Sequence, residues 1–148
     1  MTSIQGVREV AYIDVEGGGQ VYLDGTTAYV GHMTGPAGTT VIDVADPKNA
    51  RVIAELSIPD DIHSHKVRVV DGLMVANREQ LSQDAGEGAT AGGIGIFDVS
   101  DPADPKSICE WQTAGRGVHR FDFDGRYAYI SATAKGYRGR IMMILDLK

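Results

Sequence analysis

Apolar residues along this chain come in short bursts at alternate positions, not at the three- and four-residue spacing of a helix. In "QVYLDGTTAYVG" (20–31), "VRVVDGLMVAN" (67–77) and "RFDFDGRYAYIS" (120–131), an alternating run leads to an Asp-Gly pair and a more apolar run follows. Alternation with period two is the mark of a strand with one face buried. An Asp-Gly pair between two such runs is a hairpin turn. The pattern therefore predicts an all-β protein built from many short strands.

Sliding the chain against itself shows that these runs are copies. "HKVRVVDGLMVAN" set on "HRFDFDGRYAYIS" brings His65 onto His119, an offset of 54, with Val67 on Phe121, Val69 on Phe123 and Val75 on Tyr129. "GQVYLDGTTAYVG" fits the same frame at an offset of 100, with Asp24-Gly25 on Asp124-Gly125 and Gly19 in the place of the histidine. A second element repeats as well: "TVIDVADP" (40–47) matches "GIFDVSDP" (95–102), and "IMMILDLK" (141–148) fits their frame. "ARVIAEL" and "KSICEW" follow the first two, with Ile53 over Ile108, and the N-terminal "REVAYI" resembles both, with Arg8 over Arg51. Four short strands in a unit of roughly 46 to 55 residues is the signature of a β-propeller blade. Residues 1–148 are read as a single unit with three blades, their inner strands starting near 20, 66 and 120.

The runs "VIDVADP", "IFDVSDP" and "GRYAYIS" resemble the LVIVD-repeat β-propeller proteins of bacteria and archaea, of which this chain has about half the usual length. The resemblance implies the propeller fold and carries no single activity with it. Propellers close with 4–8 blades, so three make a half-propeller that needs a partner. "REVAYI" is an outer-type strand standing ahead of its first blade, and "IMMILDL" is a third-type strand. The expected closure is a homodimer of six blades in which the N-terminal strand of one copy completes the last blade of the other. The alternative is a second polypeptide that supplies the other half.

Composition narrows the functional classes. The net charge of −6 and scattered Lys and Arg residues argue against a nucleic-acid partner. The one basic cluster, "YRGR" at 137–140, reads as a solvated loop. No apolar run approaches the ~20 residues that span a bilayer. The start shows no secretion signal, so the expected location is cytoplasmic. A single cysteine excludes an internal disulfide framework, and Cys109 in "SICEW" reads as a small buried thiol in a strand.

The chain has four histidines, and three of them share one setting. In "DIHSHK", His63 and His65 are two apart, so in an extended segment they point the same way. His119 is the repeat partner of His65 at the start of the next inner strand, where a propeller brings its strands together around an axis. Imidazoles gathered in this way suit a divalent transition metal, and Asp60 and Asp61 just upstream offer a carboxylate to orient them. The competing reading is hydrogen-bonded residues at a strand entry. His32, Arg78, Glu79 and Arg120 are candidate ligand contacts: the first three end second-type strands, and the segment opened by Arg78 and Glu79 is the least repetitive in the chain.

Other motifs recede on inspection. Gly86, Gly88 and Ala91 imitate a dinucleotide fingerprint, but a strand follows them where the fingerprint needs a helix. Ser64 faces away from the histidines on either side, which argues against a nucleophile and base. Asp46-Pro47 and Asp101-Pro102 are turn starters, with Asp capping the backbone and Pro presetting its dihedral. Two function classes remain: a scaffold that binds a small ligand or protein at the channel mouth, and an enzyme, hydrolytic or oxidative, with a histidine-held metal.

Overall fold

The computed structural model of this chain describes residues 6–82 and 88–148. Its strands form three antiparallel sheets in sequence order. The first holds β1 (Gly18–Asp24), β2 (Thr27–His32), β3 (Ala37–Asp43) and β4 (Arg51–Ser57), each paired with the next. The second holds β5 (Ile62–His63), β6 (Val67–Val70), β7 (Leu73–Gln80), β8 (Gly93–Asp98) and β9 (Lys106–Gln112), with β5 and β6 pairing different stretches of β7. The third holds β10 (Val118–Phe123), β11 (Tyr127–Thr133) and β12 (Arg140–Asp146). There is no α-helix among the described residues, and no helix long and apolar enough to cross a membrane.

The turns form where the chain punctuates itself. Asp124 accepts from the Arg126 and Tyr127 amides across the β10–β11 turn, at 2.9 and 2.7 Å. Gly25, Gly72 and Gly125, the second residues of the three Asp-Gly pairs, all have positive φ, a region where glycine has no Cβ to clash. Asp46 accepts from the Lys48 amide at 3.0 Å and caps a 3₁₀ turn, and Asp101 accepts from the Ala103 amide at 3.0 Å.

Two apolar seams hold the sheets face to face. Tyr29 and Val41 of the first sheet pack on Val67, Val69, Met74 and Phe97 of the second. Val75, Ile94 and Ile96, on the second sheet's other face, pack on Phe121, Phe123 and Ile130 of the third. Each sheet is thus apolar on both faces, the arrangement in which successive layers can stack. A third cluster lies on the outer face of the first sheet, where Ala28, Val30 and Ile42 are partly covered by Ile13 and Val15.

The inner strands β1, β6 and β10 stand side by side, β6 against β1 and β10 against β6. Each is interrupted at its start. The β1–β2 register shifts between Gly18 and Val21, and the β10–β11 register shifts between Val118 and Arg120. In the second sheet the interruption is complete: β5 and β6 are two pieces of one inner strand, parted at residues 64–66. These three irregularities fall on Gly19, His119 and His65, the positions aligned by the repeat. A bulge at a strand start turns its side chain out of the sheet's alternation, and here the rings of His65 and His119 meet, with Gly19 close beside His65.

Residues 8–13, expected to complete the last sheet of another copy, form no strand within a single chain, and the first sheet already holds four strands, with β1 and β4 at its edges. One expectation needs correction. Cys109 does lie in a strand, β9, but it is exposed. Its side of β9 borders an open cleft beside β12, so neighbouring apolar residues alone do not cover it. Of the glycine-rich imitation motif, Gly86 lies outside the described residues.

Candidate functional site

The three histidines of the sequence pattern meet. One ligand nitrogen from each of His63, His65 and His119 lies within 4.8 Å of the others. The ring centroids are 4.4 Å apart for His63 and His65, 5.3 Å for His65 and His119, and 6.3 Å for His63 and His119. Three nitrogens on one tetrahedral ion at ~2.0–2.1 Å would stand roughly 3.4 Å apart, so donors up to 4.8 Å apart would close in to share one ion.

Backbone contacts fix the three positions. Ser64 donates its amide to the His32 carbonyl at 3.0 Å, and Gln20 donates to the His65 carbonyl at 3.1 Å, which ties the parted strand to the first sheet. A Cβ added at Gly19 would come within 2.9 Å of the His65 Cβ. The position that carries histidine in the other two sheets is therefore glycine in the first because His65 fills its space. On the other side, Asn77 is fully buried and joins the inner strands: its Oδ1 accepts from the Lys66 amide at 2.8 Å, and its Nδ2 donates to the Val118 carbonyl at 2.9 Å.

Glu79 organises the rings. Its carboxylate is buried, and one oxygen lies 2.8 Å from His63 Nε2 and 2.6 Å from His119 Nδ1. A carboxylate only accepts, so both ring nitrogens carry protons toward it. In the neutral rings that leaves a lone pair on His63 Nδ1 and on His119 Nε2. The other Glu79 oxygen accepts from Arg140, with Arg116 4.0 Å away. Burial alone would raise the Glu79 carboxyl, but hydrogen bonds from His119, Arg140 and His63 outweigh it and hold it down at about 2.

His65 is the buried member. Its Nε2 meets Lys66 Nζ, and its Nδ1 has no hydrogen-bond partner. Burial pushes the Lys66 amine down to about 8, aided by Arg120 and opposed by Glu79. A lysine so placed is the cation most ready to give up its charge beside an incoming metal. With Lys66 donating to Nε2, the proton of the neutral ring sits on the orphaned Nδ1, so His65 would offer a metal its Nε2 once Lys66 withdrew; that nitrogen and the two rings oriented by one carboxylate make a donor set that fits a transition metal.

No family model matches this chain, and no curated protein matches it. The site is therefore read from its own geometry.

The remaining candidates lie apart from one another. Glu79 is at the centre, whereas Arg78, its neighbour on β7, points to the opposite face and pairs with Glu110 at 2.7 Å. His32 is buried at the end of β2, its Nε2 2.8 Å from Thr40 Oγ1. Arg120 follows His119 on β10 and is exposed. Asp61 accepts from the Thr90 amide at 2.8 Å, and the carboxylate that orients the imidazoles is Glu79. Sequence reasoning passed over Lys66, Asn77 and Arg116, and it read Arg140 as part of a solvated basic loop, whereas Arg140 opens β12 and pairs with the buried Glu79. For Asn77 a signal was present: along β7 it follows Leu73 and Val75 at alternate positions, the first polar residue on that face. Arg116 and Arg140 come from loop and strand ends whose convergence no local pattern encodes.

Proposed function

We propose that this chain is half of an LVIVD-type β-propeller that binds a divalent transition metal through His63, His65 and His119 and presents it, with a small ligand, at the mouth of the central channel. The three sheets are its blades, β1, β6 and β10 their inner strands, and a second copy completes the ring to six. The observation that carries the reading is the meeting of three imidazole donors within 4.8 Å over a buried, ionised Glu79. Glu79 fixes two of the rings, Asn77 holds the strands from which His65 and His119 project, and the partly exposed His119 leaves one side open.

Enzymatic use of the site is a second reading, favoured by the donor set. Three neutral imidazoles with an open position are what catalytic zinc sites use, and a metal held there would supply Lewis acidity to water or a carbonyl. Arg140 and Arg116 would keep Glu79 in place beneath the rings, and the Lys66 ammonium beside His65 would be the group that gives up a proton.

Uptake of Co²⁺ and Zn²⁺ by the purified chain tests the metal reading, by visible absorption for cobalt and by metal analysis after gel filtration. One ion per chain is expected, with uptake lost in His119→Ala and His65→Ala. A folded wild-type chain that retains neither ion at micromolar concentrations would rule it out.

A further inference from the structure

The two ends of the three-sheet stack are unlike and match. On the third sheet Phe121 and Phe123 are 8% and 6% exposed, packed against the second sheet; their equivalents on the first, Val21 and Leu23, are 67% and 60% exposed. The opposite faces show the converse. Val41 and Ile96 point forward to the next sheet and are 0% and 6% exposed, whereas their equivalent Ile144 on β12 is 58% exposed. Each bare end is thus a copy of a surface that is buried inside the chain, and the bare forward face has the bare backward face as its natural counterpart.

The N-terminal segment fits the same frame. Thr133 donates to the Gly117 carbonyl where the chain leaves β9 for β10, and Met33 donates to the Gly17 carbonyl at the equivalent place ahead of β1. Residues 13–17 therefore enter the first sheet as residues 113–117 enter the third. What precedes 113–117 is β9, the outer strand of the sheet before. What precedes 13–17 is a segment in no strand, with Val10 and Tyr12 exposed. On the third sheet β12 pairs only with β11. Beside its free edge is a cleft of about 570 Å³ lined by Cys109, Trp111, Leu145 and Leu147.

We infer that residues 8–13 of a second copy of this chain lie along β12 as the fourth strand of the third sheet, closing the cleft over Cys109. Applying the β3–β4 register, in which Val41 faces Ala54, puts Ala11 opposite Ile144. Each copy gives and receives one segment, so the pair is closed by two equivalent junctions and the edge of β12 is covered in both copies. The inference rests on the half-propeller reading and adds to it which segment crosses, where it seats and what it covers.

The test combines native mass spectrometry with maleimide labelling of Cys109, on the wild type and on two variants at exposed positions that leave the fold of one copy intact. These are the double substitution Val10→Asp with Tyr12→Asp, and Leu23→Asp. The expected result is a wild-type dimer in which Cys109 labels on the order of 100-fold more slowly than in the segment variant, as for a thiol reached only through local opening. The segment variant should open the thiol, and both variants should shift toward monomer. A dimer weakened by Leu23→Asp, with Cys109 open and indifferent to the segment variant, would overturn the strand insertion and leave the six-sheet ring standing. A wild-type monomer at tens of micromolar would overturn both, including one whose thiol is shielded by its own segment.

Discussion

Replacing Glu79 by Gln removes one negative charge from the buried centre of the site and changes little else in shape. In the native protein the carboxylate accepts from His63, His119 and Arg140. An amide offers a single acceptor oxygen and turns an NH₂ toward at least one of those donors. The carboxyl is held at about 2 against an ordinary 4.5, and each pKa unit is worth roughly 1.4 kcal/mol, so ionised Glu79 contributes about 3 kcal/mol. The pKa is lowered on folding, so this stability is complete above the unfolded value of 4.5 and is lost as pH falls toward 2. Urea denaturation of the metal-free protein at pH 7 should show the variant less stable by about 3 kcal/mol, rising to about 5 if Arg140 is left without any partner. The same titration between pH 4.5 and pH 2.5 should show the wild type losing its advantage while the variant stays flatter. A cost under about 1 kcal/mol at pH 7, or an acid limb of equal slope in both proteins, would refute the claim that Glu79 is ionised and holds the cluster together.

Three further outcomes follow from the same geometry. Asn77→Ala leaves the Lys66 amide and the Val118 carbonyl buried without their partner, and should cost about 2–4 kcal/mol in chemical denaturation. Gly19→Ala forces a Cβ to within 2.9 Å of the His65 Cβ and 3.0 Å of the Gly31 carbonyl oxygen; about 1–3 kcal/mol should be lost, with a shift in the His65 ring resonances by NMR. His63→Ala removes a ring that Glu79 orients, and cobalt affinity should fall by at least about 10-fold, with about 1–2 kcal/mol of stability lost in chemical denaturation as Glu79 loses one of its donors.

Much of the fold was legible because it is written more than once. A single "RFDFDGRYAYIS" is an ordinary hairpin signal; its recurrence at offsets of 54 and 100 marked out the three sheets and aligned His65 with His119, though not the division of one strand into β5 and β6. The Asp-Gly turns and the Asp-Pro caps were legible for the same local reason, since each acts within three or four residues of its own position. The site was legible only in part. That the histidines meet follows from the repeat, but what holds them depends on the strand break at 64–66, on backbone contacts from the first sheet and on side chains from the other two. Arg140 reaches Glu79 across 61 residues of sequence, and nothing local to either residue announces it. Cys109 was misjudged because a strand rich in apolar neighbours normally has a sheet on each side, and β9 has an open cleft on one.

Gly19 sets a ceiling on what this centre can become. The repeat offers three equivalent positions at the strand entries, and two hold imidazoles; the third is closed by the bulk of His65 rather than by any lack of alignment. No substitution at residue 19 can add a donor without evicting one already present. In the proposed metal site the first strand would thus be a wall, and an incoming ligand would enter through the side that His119 leaves open, a permanently available seat.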